Sequence, residues 1–251
     1  MDPILVSQQG AVATLSLNRP EALNAFTPEM LKALIEAIKS FERDESVGVI
    51  ILQGEGRAFS AGVDLKILQS TSPVAGRISS AFDDAAQAAA EVVRKSSLPV
   101  IAKVHGFCFT GALELALHCD FILTTADTKF GDTHVKWGLR PTWGMSQNLA
   151  RAIGVRRARE LSFTARTFTG ADAAAWGLAN AAAPDKSALD ALAMTRAGEI
   201  AKASRGAVSA YKKLYRVHEE NRGLEDALAE EIARDFPEIT DTVERLKGFG
   251  A

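Results

Sequence analysis

Glu114 follows Gly111 by three residues in V-H-G-F-C-F-T-G-A-L-E-L-A-L-H-C-D, the stretch from Val104 to Asp120. At a helix start the first backbone N–H groups have no intrahelical partner and lie at the positive end of the helix dipole. A glycine there leaves its own N–H open to a ligand. A residue three positions later shares its helical face. An oxyanion could therefore rest on the Gly111 N–H with the Glu114 carboxylate beside it. Backbone donors holding developing negative charge, next to a carboxylate that moves a proton, suit enolate chemistry. A close-packed glycine and an exposed helix glutamate would give the same pattern, so support must come from the rest of the chain.

The elements that would position this pair read as strand, tight loop, helix. Leu98 to Val104 is an apolar run with the composition of a buried strand. Gly106 and Gly111 follow, then a helical pattern to about His118. A second stretch, Val47 to Leu65, has the same plan: V-G-V-I-I-L-Q-G-E-G-R-A-F-S-A-G-V-D-L. The units at 47–68 and 100–118 read as turns of one design, although their direct identity is too low to establish a repeat. G-E-G-R-A-F is not a dinucleotide fingerprint, because Phe59 stands where the third glycine belongs. A-F-S-A-G around Ser60 is similar to a serine nucleophile elbow, which makes a serine hydrolase the rival reading. An elbow follows its strand directly, whereas here a loop intervenes.

Four motifs taken together resemble the crotonase, or enoyl-CoA hydratase/isomerase, superfamily. They are N-R-P-E-A-L-N-A-F at 18–26, R-A-F-S-A-G-V-D-L at 57–65, the stretch at 104–120, and F-G-D-T-H-V-K-W-G-L-R-P at 130–141. Their order and spacing match the family over nearly the whole chain. The resemblance implies an α/β fold, a right-handed spiral of ββα turns with a C-terminal helical trimerisation region. It divides the chain into a spiral core, 1–184, and a helical region, 185–251. It implies an acyl-CoA substrate whose thioester carbonyl lies between the N–H groups of Val63 and Gly111. Fixed donors there favour the enolate-like transition state over the ground state. It places Ala22, Leu23, Ala61, Asp64 and Leu65 at the substrate and CoA site. No metal or redox cofactor is implied, since coenzyme A is part of the substrate.

A typical hydratase of this family uses two glutamates, one to activate water and one to handle the α-carbon proton. Glu114 matches the first, and His134 occupies the place of the second. Histidine transfers protons near neutral pH, so acid–base chemistry survives the change. An imidazole there is expected to titrate between about pH 5 and 8. It could also line the pocket without moving a proton. Asp132 is a nearby spare carboxylate of unassigned direction. Enoyl-CoA hydration, in fatty-acid metabolism, is the first expectation. The alternatives are another enolate reaction in the same pocket, isomerisation or hydrolysis, and a non-catalytic acyl-CoA-binding homologue.

Along the chain, Ile4–Ser7 and Ala11–Leu17 flank Gln8-Gln9-Gly10 as a hairpin. Thr27 and Pro28 open a helix with apolar Leu31, Leu34, Ile35, Ile38 and Phe41 at helical spacing. Residues 70–76 read as a mobile polar loop and 77–95 as a helix. A strand is expected at 119–125. Helices are expected at 143–154, 155–165 and 170–177, then a short strand at 179–184. Arg156, Arg157 and Arg159 read as a solvated face rather than a phosphate site. Further helices are expected at about 185–203, 206–221 and 224–235. This helical end resembles the family's assembly region, which implies a homotrimer or dimer of trimers, and its apolar Leu189, Leu192 and Ile200 need burial somewhere. Many relatives carry a basic, aromatic tail against the CoA adenine, which Phe249-Gly250-Ala251 does not resemble.

The 251 residues suffice for one large core, and 47% hydrophobic with 24% charged residues is ordinary globular composition. A net charge of −2 without a basic block argues against nucleic-acid binding. Cys108 and Cys119 lack C-x-x-C spacing, which fits a reducing cytoplasm. The start, M-D-P-I-L-V, lacks a signal-type apolar core, and no apolar run is long enough to span a membrane. His105, His118, His134 and His218 have no metal-ligand spacing.

Overall fold

The computed structural model describes residues 2–71, 74–219, 226, 228, 229, 233 and 235–241. The hairpin of β1 (Ile4–Gln9) and β2 (Val12–Leu17) begins the chain, and the turns that follow share a common plan. β3 (Val49–Gly54) leads through Ser60 to α2 (Leu65–Ser70) and α3 (Ser80–Lys95). β4 (Val100–Val104) leads through β5 (Phe107–Phe109) to α4 (Gly111–Ala116). β6 (Phe121–Thr125) leads through β7 (Lys129–Gly131) and a 3-10 turn, His134–Trp137, to α5 (Met145–Ile153) and α6 (Val155–Thr164). The loop expected between the strand at 98–104 and Gly111 thus contains a strand of its own, β5. It pairs in parallel with β7, and Ser60 bridges to Cys108, so each turn adds to two layers. This is the spiral of ββα turns that the paired motifs suggest.

Among the described residues, one sheet runs β1-β2-β3-β4-β6-β9, where β9 is Ala181–Ala183. From β2 onward its strands are parallel. Parallel strands buried on both faces need apolar side chains in both directions, which is why β3 reads V-I-I-L rather than alternating. One face packs on α1 (Pro28–Arg43) and α3 through Leu15, Leu17, Ile50, Leu52, Leu34 and Ala89. The other packs through Val49, Ile51, Ile101 and Leu123 on α8 (Lys186–Ala201). α1 begins as expected, with Thr27 Oγ1 accepting from the Met30 N–H at 3.2 Å.

The far end of the chain buries its apolar stripe on the sheet. Leu189 is fully buried, and Leu192 and Ile200 are partly buried, all against the sheet. That apolar stripe is therefore used within the chain. α9 (Arg205–Glu219) is tied down by Lys212, whose Nζ donates to Leu98 O at 3.0 Å and Asp120 Oδ2 at 2.7 Å. It leaves Tyr211 and Tyr215 62% and 66% exposed, with ring centroids 6.2 Å apart. Most of the helix expected at 224–235, and the end at 249–251, lie outside the described residues, as do Ser72 and Pro73 of the expected loop. Among the described residues no helix is long and apolar enough to cross a membrane.

Candidate active site

Gly62 is where the second and third turns touch. Its φ is +95°, and an added Cβ would lie 2.7 Å from Phe109 O, so only glycine fits this approach. The contact places Val63 and Gly111 on adjoining segments. Neither N–H has an acceptor among the described residues, as a helix start and a bridge edge dictate. Thr110, just before Gly111, has φ 51° and ψ −113°, an uncommon conformation for a β-branched residue. Its N–H donates to Gly131 O at 2.8 Å, and its hydroxyl bonds that of Thr133 at 2.6 Å. The strained residue thus ties the start of α4 to the loop carrying His134.

Glu114 is 1% exposed, a buried carboxylate rather than an exposed helix glutamate. Its Oε1 accepts from the N–H groups of Trp143 and Met145, each at 3.1 Å. These donors stand at the start of α5, where unpaired N–H groups and the dipole favour an anion. Its Oε2 faces His134 Nε2 at 3.5 Å. On the other side of the ring, His134 Nδ1 bonds Asp132 Oδ1 at 2.7 Å. Asp132, His134 and Glu114 therefore form one buried row with the imidazole in the middle.

Burial alone would push the His134 imidazole below its ordinary value. The hydrogen bonds and negative charges of Asp132 and Glu114 outweigh that and raise it from 6.5 to about 9. The expected titration between pH 5 and 8 is thus displaced upward, in favour of the imidazolium. Burial would raise Asp132, but hydrogen bonds from His134 and Ser162 hold it below the ordinary carboxylate value.

A cleft of about 680 Å³ opens beside this row. His134, Thr110, Thr133 and Val63 line it, as do Ala22, Leu23, Ala61 and Asp64 from the expected CoA site. Leu68, Ile78 and Leu139 make an apolar wall, and exposed Arg57, Lys66 and Lys136 bring positive charge. Glu114 and Gly111 adjoin the lining residues His134 and Thr110 without lining the cleft themselves. The Trp143 indole packs over Gly111, where an added Cβ would meet it at 2.7 Å. The Asp64 carboxylate is engaged, bonding Arg19 at 2.8 Å and accepting from the Lys66 N–H at 2.9 Å. Burial would raise it, but these contacts hold it low. Leu65 opens α2, and its side chain lies outside the described residues.

The serine rival meets a plain obstacle. Ser60 is fully buried, donates to Asn24 O at 2.8 Å and accepts from the Gly62 N–H at 3.1 Å. Its hydroxyl braces a turn. Asn24, a residue the motif reading did not single out, does the same from the first loop. Its Nδ2 donates to Glu55 O and Ala58 O, each at 2.8 Å. Trp143 also went unmarked, having no charge or spacing to signal it. Asp132, the spare carboxylate whose direction the sequence left open, turns to the imidazole and backbone N–H of His134 two residues on, the reach of an Asx-type bond. Among the described residues no group of three or more His, Cys, Asp or Glu could hold a metal ion.

Residues 7–250 match the family described as enoyl-CoA hydratase/isomerase. A Rhizobium meliloti protein named "Probable enoyl-CoA hydratase" is 36% identical over all of this chain and 94% of its own length. An Arabidopsis thaliana protein named "Probable enoyl-CoA hydratase 1, peroxisomal" is 38% identical over 78% of this chain and 70% of its own. A crystal structure of an enoyl-CoA hydratase/carnithine racemase from Magnetospirillum magneticum superposes with a TM-score of 0.88 at 32% identity. It covers 99% of this chain and 92% of that one.

Proposed function

The chain belongs to the enoyl-CoA hydratase/isomerase family, and on that premise we propose that it adds water to a 2-enoyl-CoA thioester. The carrying observation is the approach of Glu114 Oε2 and His134 Nε2 to 3.5 Å beside an apolar cleft with cationic side chains. An acyl-CoA joins an apolar chain to a polyanionic nucleotide. Val63, Leu68, Ile78 and Leu139 suit the chain, and Arg57, Lys66 and Lys136 suit the phosphates. Ala22, Leu23, Ala61 and the Asp64–Leu65 turn border the CoA arm.

In this reaction the thioester oxygen rests on the Val63 and Gly111 N–H groups. Glu114 takes a proton from water as the water oxygen attacks C3. The π electrons move onto the thioester oxygen as an enolate, which the two donors stabilise. The enolate collapses, and C2 takes the proton from His134 Nε2. The proton on Glu114 then passes to His134 across the 3.5 Å gap. One water is consumed and both groups are restored. The chemistry needs no metal or redox group, and coenzyme A enters with the substrate.

Product identification on a panel of 2-enoyl-CoA chain lengths tests the reading. A 3-hydroxyacyl-CoA product supports it, and none across the panel rejects it. One observation favours a second reading: His134 lines the cleft while Glu114 does not. A single proton-moving group lining the cleft suits double-bond isomerisation, which the same panel detects as a shifted alkene. His134→Glu, which restores two carboxylates, should retain or raise hydration under the first reading. Under the second it should create hydration where the parent has none.

The assembly proposed is a homotrimer or dimer of trimers, with 1–184 carrying the site and 185–251 the subunit contacts. The exposed Tyr211–Tyr215 face of α9 supports this. Light scattering giving a monomer mass at micromolar concentration would reject it. The free thiols of Cys108 and Cys119 suit a reducing compartment such as the cytoplasm, which fractionation of the source cells tests.

A further inference from the structure

Replacing one of two carboxyl groups by an imidazole alters the proton and charge inventory of a site. Two carboxyl groups sharing one proton carry a net charge of −1. A carboxylate beside an imidazolium carries zero, and beside a neutral imidazole it has no proton to give. Resting on the reading that Glu114 and His134 move protons, we propose that Asp132 is the positioning residue that restores this inventory. It holds His134 as an imidazolium with the transferable proton on Nε2.

The geometry supports this at each atom. Asp132 Oδ1 accepts a hydrogen bond from His134 Nδ1 at 2.7 Å and another from the His134 backbone N–H at 3.3 Å. Occupying Nδ1 as a donor leaves Nε2 as the atom that gives and regains a proton, and it fixes the ring plane. Nε2 is the atom facing Glu114. Asp132 itself is nearly fully buried, and the Ser162 hydroxyl of α6 also favours its charged form. A buried imidazolium with one carboxylate would lack compensation on one side, and one without either would deprotonate. With both, the row Asp132–His134–Glu114 has net charge −1 and one transferable proton, the inventory of a shared-proton carboxyl pair.

Other charges near the ring do not substitute for Asp132. Lys136 follows on the same 3-10 turn, and Lys66 lies along the cleft, both exposed to solvent. Asp64 is paired with Arg19. The carboxylates facing the imidazole are Asp132 from its own loop and Glu114 from α4.

The test is histidine side-chain NMR on the ligand-free protein, with the His134 signal assigned by its loss in His134→Gln. In the parent it should titrate with a midpoint near 9. In Asp132→Asn the midpoint should fall by about one unit or more, since a neutral amide cannot compensate the cation. Asp132→Glu should restore part of the fall. Ser162→Ala, which loosens Asp132 without touching the ring, should give a smaller fall and serves if Asp132→Asn does not fold. The alkaline limb of the hydration rate should move with the midpoint. An unmoved midpoint in both Asp132→Asn and Ser162→Ala overturns the proposal. So does a rate loss without movement of the limb, because a merely structural aspartate would give that. A moved midpoint in a protein that hydrates no enoyl-CoA would leave this inference standing and sink the hydratase reading instead.

Discussion

His105 and His134 are both buried, 5% and 6% exposed, yet their imidazoles shift in opposite directions. His105 follows β4, with Nε2 against Gly56 O at 2.9 Å and Nδ1 unpartnered among the described residues. Burial pushes it down, the Gly56 bond and Asp190 oppose, and Lys186 and Lys103 push it down further. His134 meets the same desolvation, but carboxylates flank it on both sides and hold the proton. Burial therefore sets the default and the facing charges decide the outcome. One histidine packs against a backbone carbonyl, with its imidazole pushed toward the neutral form. The other sits between two carboxylates at the lining of a cleft.

The largest test of that contrast is Glu114→Gln. It removes the proton acceptor and one of the two flanking charges while keeping shape. Turnover should fall roughly 10²-fold or more, with acyl-CoA affinity nearly kept. Full activity would mean that the His134 environment has no bearing on catalysis.

The pH–rate profile comes next. An acid that must be protonated supports turnover below its pKa, so the rate should fall above about 9. His134 should contribute no limb between about pH 5 and 8. A limb in that range that disappears in His134→Gln would show the two histidines to be more alike than their surroundings suggest.

Stability should follow the same shift with a defined sign. The folded value, about 9, lies above the ordinary 6.5. The stabilisation is therefore complete below about 6.5 and is lost as pH rises through about 9. The loss is on the order of 3 kcal/mol. Urea unfolding of the parent and of His134→Gln at pH 6 and pH 10 measures it as a difference of differences.

The smallest effect belongs to the other histidine. His105→Gln keeps a donor for Gly56 O and touches neither carboxylate. Its rate should stay within about twofold of the parent, and its stability should fall by about 1 kcal/mol. A large rate loss would undo the assignment of His105 to packing.

Several features were legible because they depend on neighbours in sequence. The apolar runs at 49–54 and 100–104, the Thr27 cap with Pro28, and the paired glycine-rich turns carry their structure locally. The positions of Val63, Gly111, Glu114 and His134 could be named because their motifs keep a fixed order. Tertiary structure decided what those residues experience. Leu189, Leu192 and Ile200 find their cover on strands from the first half of the chain. β5 exists because β7, about twenty residues later, supplies its partner. Glu114 is held by Trp143 and Met145, about thirty residues away. Residue type alone puts an imidazole near neutrality. Its shift to about 9 arises where desolvation and two carboxylates meet at one ring. Electrostatic energy depends on distance and burial, and Asp132 and Glu114 reach that ring from opposite sides only once the spiral has closed.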